Sequence, residues 1–102
     1  MGTSAAERVL DVAGHRLAIE AGTVRVDEVP VHLSGAPLAV LLALARRPGH
    51  EVARRDQMQH LPTGEACSEH AVEMAVARLR RALGVPLVQT VVKRGYRLAT
   101  RP

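Results

Sequence analysis

The sequence predicts an α+β fold built as one domain: a small antiparallel sheet, three helices, then a β-hairpin. Three observations point to it. Residues 8–33 alternate apolar and polar side chains at period two between glycine-containing turns. Residues 34–83 carry apolar stripes at helical spacing. Residues 87–100 read as two short strands flanking a basic tip that ends in glycine. A length of 102 residues suits one domain, and 47% hydrophobic against 24% charged residues suits a packed core. That core must be aliphatic, because the chain has one Tyr and no Phe or Trp.

The first seven residues, "MGTSAAE", read as a flexible lead without the apolar core of a signal peptide. The sheet spans 8–33. "RVLDV" (8–12) is followed by Ala13–Gly14, and "HRLAIE" (15–20) by Ala21–Gly22. "TVRVD" (23–27) sets Val24 and Val26 on one face, and "VPVHL" (29–33) groups Val29, Val31 and Leu33. Pro30 cannot donate to a ladder, so it belongs at an edge or a strand start.

The three-helix region spans 34–83. Ser34 stands where a cap is expected, and Pro37 is tolerated in a first turn, where N–H groups lack partners. Leu38, Leu41, Leu42 and Ala45 share a face that Val40 and Leu44 widen, and "RRPG" (46–49) stops the helix. "EVARRDQMQHL" (51–61) reads as a short extended piece and a second helix burying Val52, Met58 and Leu61. Ala53 leaves that helix without a polar cap. "PTGEAC" (62–67) is a loop. Ser68 caps the third helix, Glu69 favours the positive end of its dipole, and Gly84 ends it, with Pro86 beyond. The hairpin takes "LVQTV" (87–91), the tip "VKRG" (92–95) and "YRLAT" (96–100), with Gly95 giving the tip its conformational freedom.

Charge is unevenly spread. Residues 1–68 hold seven arginines against eight carboxylates, a net of −1. Residues 69–102 hold seven basic residues against Glu69 and Glu73, a net of +5. A basic C-terminal third points to a polyanionic partner. At about 100° per residue, Val72, Val76, Leu79 and Leu83 form the core stripe of the third helix. Arg78 and Arg81 then project away from the core, beside Met74 and His70, and Arg80 lies on the flank with Glu73 and Ala77. Neither Arg78 nor Arg81 has a carboxylate four residues before it, as a solvated helix face normally provides. A small, apolar, cationic face of this kind suits a nucleic-acid groove, where arginine bonds guanine bidentately and phosphate by charge. Lys93, Arg94 and Arg97 add a second basic element.

Three stretches carry a family resemblance: "LSGAPLAVLLALARRPGHEVARRDQM", "AVEMAVARLRRALG" and "VQTVVKRGYRL". Together they resemble the winged helix-turn-helix effector domain of OmpR/PhoB-type transcriptional regulators over nearly the whole chain, taken as 8–102. The resemblance implies a four-stranded N-terminal antiparallel sheet, three helices and a C-terminal hairpin wing. It implies sequence-specific binding of double-stranded DNA, with recognition helix 68–83 in the major groove and wing 92–95 on the minor groove or backbone. By position, Arg78 matches a base-contacting arginine, Arg80 a phosphate-contacting one and Arg81 a basic residue of the groove face. Thr90 matches a threonine near the DNA backbone, and Tyr96 a tyrosine packed at the wing base. Lys93, Arg94 and Arg97 with His70 and Met74 complete the expected DNA-binding set.

The chain also departs from the family. Arg is frequent in the family where His70 and Ala77 stand, and His where Ala75 stands. The wing usually reads R-G-x-G-Y; here it reads Val92-Lys93-Arg94-Gly95-Tyr96, so Lys93 or Arg94 must replace the displaced wing arginine. The aromatics usual in the first helix and after the second are absent. As partners the resemblance implies RNA polymerase, whose usual contacts at the 62–67 loop these missing aromatics put in question, and a second copy in tandem on DNA. In the family such a domain usually follows an N-terminal regulatory domain in a longer, phosphorelay-associated chain, a receiver or in some proteins a uroporphyrinogen-III synthase-like domain; the sequence leaves open which, if either, precedes this one or whether it stands alone. Localisation is expected to be cytoplasmic.

Rival readings are weaker. His60, Cys67 and His70 match no zinc spacing and lack a fourth ligand, so no metal or cofactor is expected. His15, His32 and His50 read as surface or turn residues. There is no phosphate-binding glycine loop, nucleophile elbow or paired-carboxylate pocket, so no enzyme is expected. No apolar run approaches the roughly 20 residues of a membrane span. Single strands are disfavoured, since base stacking wants aromatics and only Tyr96 is present. The alternative is a protein-interaction winged helix that docks an acidic partner or mediates dimerisation.

Overall fold

The computed structural model describes residues 8–20, 23–59, 61 and 68–100. The N-terminal lead 1–7 and the 62–67 loop lie outside the described residues. The elements are β1 (Arg8–Val12), β2 (His15–Glu20), β3 (Thr23–Val26), β4 (Val29–Val31), α1 (Gly35–Arg46), α2 (Arg54–Met58), α3 (Glu69–Leu83), β5 (Val88–Val91) and β6 (Gly95–Leu98). The expected α+β order is therefore observed.

β1 to β4 form an antiparallel meander in sequence order. Its register sets Leu17 against Val26 and Ile19 against Val24, so one face is aliphatic and buried. The turns at Ala13–Gly14 and Asp27–Glu28 are two-residue connections with positive φ at both central positions. That geometry matches the right-handed twist of the flanking strands. Asp27 holds its own turn: its carboxylate accepts from the Arg16 amide at 2.9 Å and contacts His15 Nδ1 at 2.6 Å. The Arg16 hydrogen bond first, and His15 second, keep the Asp27 carboxyl below the usual carboxylate range.

α1 and α3 pack on the buried sheet face. The core joins Val12, Leu17, Ile19, Val24 and Val26 to Val40, Leu41, Leu44, Val72, Val76, Leu79 and Leu83, and to Leu87, Tyr96 and Leu98. Each fully buried leucine here contributes about 1.5–3 kcal/mol by leaving water. Residue 52 extends the hairpin as a third strand segment: Val52 N–H donates to the Tyr96 carbonyl at 2.7 Å, and Tyr96 N–H to the Val52 carbonyl at 3.1 Å. Gly95 permits this approach, because a Cβ on it would strike the Val52 carbonyl and lie 2.8 Å from Ala53 Cα. The Ala13 amide donates to the Ala99 carbonyl at 2.8 Å, tying the sheet to the end of the hairpin. No helix among the described residues is long and apolar enough to cross a membrane.

Several expectations need correction. Leu42 is exposed, because the buried arc of α1 runs through Val40, Leu41, Leu44 and Ala45, centred near Leu44; Leu42 lies about 160° from Leu44 on the wheel. Val29 is exposed as well, at the open edge of the sheet. Ser34 sits at the N-cap position with extended dihedrals, yet its side chain makes no capping hydrogen bond. In α2 the fully buried residue is Gln57, while Val52, Met58 and Leu61 are half-buried.

Candidate nucleic-acid interface

α3 is built as its sequence requires. Ser68 Oγ accepts from the Ala71 amide at 3.1 Å, and Gly84 closes the helix in the left-handed region at φ 74°. Val72, Ala75, Val76, Leu79 and Leu83 are buried. His70, Met74, Ala77, Arg78 and Arg81 are exposed on the other side. No hydrogen bond or ion pair joins Arg78 or Arg81 to any described residue. His70 is largely exposed, and its Nδ1 stands 3.9 Å from Glu73.

Arg80 behaves differently. Its Nε and Nη2 donate to the Val88 carbonyl at 3.4 and 3.2 Å, Nη2 also donates to Thr90 Oγ1 at 2.8 Å, and its Cζ lies 5.8 Å from the centre of the Tyr96 ring. The structure thus brings together Arg80, Thr90 and Tyr96, which are distant in sequence. Tyr96 is only 5% exposed, so it acts on this surface as a floor under Arg80. Arg97 Nε donates to Gln89 Oε1 at 2.8 Å across the hairpin. At the tip Lys93 is exposed with φ 63°, Val92 is exposed beside it, and Arg94 Nη1 donates to Glu51 Oε1 at 3.1 Å.

Two participants escape sequence reasoning. Arg54 of α2 reaches Glu73 at 2.9 Å and Glu69 at 3.4 Å. These carboxylates therefore tie α2 to α3 in addition to favouring the helix dipole. Glu51 pairs with the wing. Neither contact leaves a local signal, since the partners sit 19 and 43 residues apart. The charges separate as a result. Arg54 is paired with the N-terminal half of α3, whereas Arg55 of α2, Arg78 and Arg81 in the C-terminal half of α3, and Lys93 on the wing are unpaired among the described residues. Exposed, unpaired cations on a protruding helix and an adjacent hairpin can bind a polyanion at two points.

Among the described residues no three His, Cys, Asp or Glu side chains gather as a metal site. His60 and Cys67 lie outside the described residues.

The model of the family described as "Transcriptional regulatory protein, C terminal" matches residues 28–98. Solved structures with a similar fold include the DNA-binding domain of Klebsiella pneumoniae RstA in complex with the RstA box. It is 23% identical, with 90% of this chain and 97% of that one covered and a TM-score of 0.69. The DNA-binding domain of CpxR from E. coli is 25% identical over 92% and 96%, with a TM-score of 0.70. That of Bacillus subtilis CssR is 28% identical over 82% and 98%, with a TM-score of 0.65. No curated protein sequence matches the chain.

Proposed function

The chain belongs to the family of C-terminal domains of transcriptional regulatory proteins, and from that premise we propose that it binds double-stranded DNA sequence-specifically as the effector domain of a regulator. α3 enters the major groove, and the hairpin acts as a wing on the adjacent backbone or minor groove. Arg78 reads base edges, with Met74 and His70 on the same face. Arg81 and the uncommitted Nη1 of Arg80 meet phosphate. Thr90, Tyr96 and Arg97 shape the wing root, and Lys93 and Arg94 form its grip. The domain has no catalytic role in this reading and works in the cytoplasm. In this reading the candidate partners besides DNA are a second copy in tandem, RNA polymerase and a regulatory domain in a longer chain.

The observation that carries the proposal is the exposed pair Arg78 and Arg81. Neither is neutralised by a described residue, on a helix whose opposite face is anchored in the core. A helix that docks an apolar partner has no need of uncompensated arginines, and competition separates duplex from an acidic partner. The experiment is a titration of labelled duplex at two salt concentrations, with single strand and an acidic polypeptide as competitors. Duplex binding that weakens steeply with salt and survives both competitors supports the reading. Tight binding of the acidic polypeptide without duplex affinity would replace it with the protein-interaction reading. Selection from random duplexes then identifies the preferred site.

A further inference from the structure

Building on the duplex-binding reading, we propose that Glu51 is an electrostatic brake on the wing: its carboxylate holds Arg94 and withholds one cation from the DNA backbone. The bridge between Val52 and Tyr96 fixes where Glu51 stands. Both hydrogen bonds of that bridge are backbone bonds, and Gly95 lets the 51–53 segment lie directly on the hairpin. Glu51 is thereby presented to the tip, where its Oε1 accepts from Arg94 Nη1 at 3.1 Å.

The local charge distribution makes this pair different from an ordinary surface contact. Lys93, Arg94, Arg54 and Arg55 line one open hollow between α2 and the wing tip, with Asp56 and Glu69. Arg54 is held by Glu69 and Glu73. Lys93 and Arg55 make no hydrogen bond or ion pair with any described residue. Arg94 is therefore the wing-tip cation whose charge is cancelled within the protein. A phosphate approaching the tip meets Lys93 open and Arg94 occupied, with a carboxylate behind it. Both partners are solvated, Arg94 at 69% and Glu51 at 38% side-chain exposure, so phosphate competes with Glu51 for the guanidinium. The brake lowers affinity by a graded amount and leaves binding possible.

The test uses the full chain and a labelled mixed-sequence duplex. Glu51→Gln should tighten binding roughly two- to fivefold at moderate salt, the range an exposed ion pair spans. It should also steepen the log affinity against log salt slope by about one unit, because one more cation engages phosphate. In an Arg94→Ala background, Glu51→Gln should lose most of that gain. Melting temperatures for all variants check that the fold is intact. If more than half of the gain persists without Arg94, Glu51 acts by general repulsion and the brake is wrong. If Glu51→Gln weakens binding or leaves it unchanged in folded protein, the brake is also wrong. If the parent chain binds no duplex at any salt, the duplex-binding reading itself falls, and the brake with it.

Discussion

Arg80 of α3 and Thr90 of β5 are joined by a 2.8 Å hydrogen bond from Nη2 to Oγ1, and through it the hairpin is braced against the helix. The same guanidinium donates twice to the Val88 carbonyl and lies over Tyr96. Leu79, buried beside it, supplies the larger energy that anchors the helix. Arg80 sets the angle at which the wing leaves it. One residue therefore serves both fold and surface, since its Nη1 donors remain uncommitted among the described residues.

Arg80→Ala should lower unfolding stability by about 1–2 kcal/mol, allowing for the partial exposure of its hydrogen bonds. It should weaken all duplexes alike and flatten the salt slope by about one unit. Arg80→Lys keeps the charge but cannot fork between the Val88 carbonyl and Thr90. It should keep the slope and lose the stability. Urea melts and titrations at several salts check both. An Arg80→Lys variant as stable as the parent would show that the brace contributes nothing.

Arg78→Ala separates surface from fold in the opposite sense. Arg78 bonds no described residue, so stability should stay within about 0.5 kcal/mol of the parent. Duplex binding should lose about 1–3 kcal/mol on the preferred site and much less on other sequences, so base preference relaxes. Competition across a panel of duplexes measures this; a uniform loss on every sequence would reassign Arg78 to backbone contact.

What could be read in advance follows from how local each signal is. Ser68, Gly84 and the stripe from Val72 to Leu83 lie within one helix, so α3 and its outward arginines were legible. The hairpin was legible for the same reason, through its short basic tip. The bridge between Val52 and Tyr96 was not, because its backbone bonds carry no side-chain pattern. Glu69 and Glu73 read as dipole partners because their other partner, Arg54, belongs to a different helix. Leu42 misled because four leucine and alanine positions permit two overlapping arcs, and only packing against the sheet and α3 chooses between them. Helical periodicity puts Arg80 on the flank of α3, but its commitment to Val88 and Thr90 requires the hairpin in place.

Asp27 gives the fold an acid-sensitive element away from the proposed interface. Its carboxyl is held below the ordinary value of 3.8 by the Arg16 amide and then by His15. A depressed folded pKa means stability that is present above the unfolded value and lost as pH falls through the folded one. Asp27→Asn should therefore reduce stability at neutral pH, and the difference from the parent should shrink below about pH 4. Thermal melts from pH 7 to pH 2 follow this. A difference that is constant with pH would mean that the turn geometry of residue 27, and not its charge, matters.

Gln57 is 0% exposed, and neither its Oε1 nor its Nε2 has a hydrogen-bond partner among the described residues. An unsatisfied buried polar group costs about 1–3 kcal/mol, whereas an apolar side chain of similar length and shape carries no such cost. Gln57→Met keeps the length of the side chain and removes both orphaned atoms. It should stabilise the domain by about 1–3 kcal/mol, raising Tm by roughly 4 °C or more. Duplex affinity should not change, because the exposed cations of α3 and the wing are untouched. Calorimetry and the same duplex titration read the two quantities separately. A destabilised Gln57→Met protein would show that the amide is satisfied in solution, and a loss of affinity without a loss of stability would place Gln57 in the support of α3.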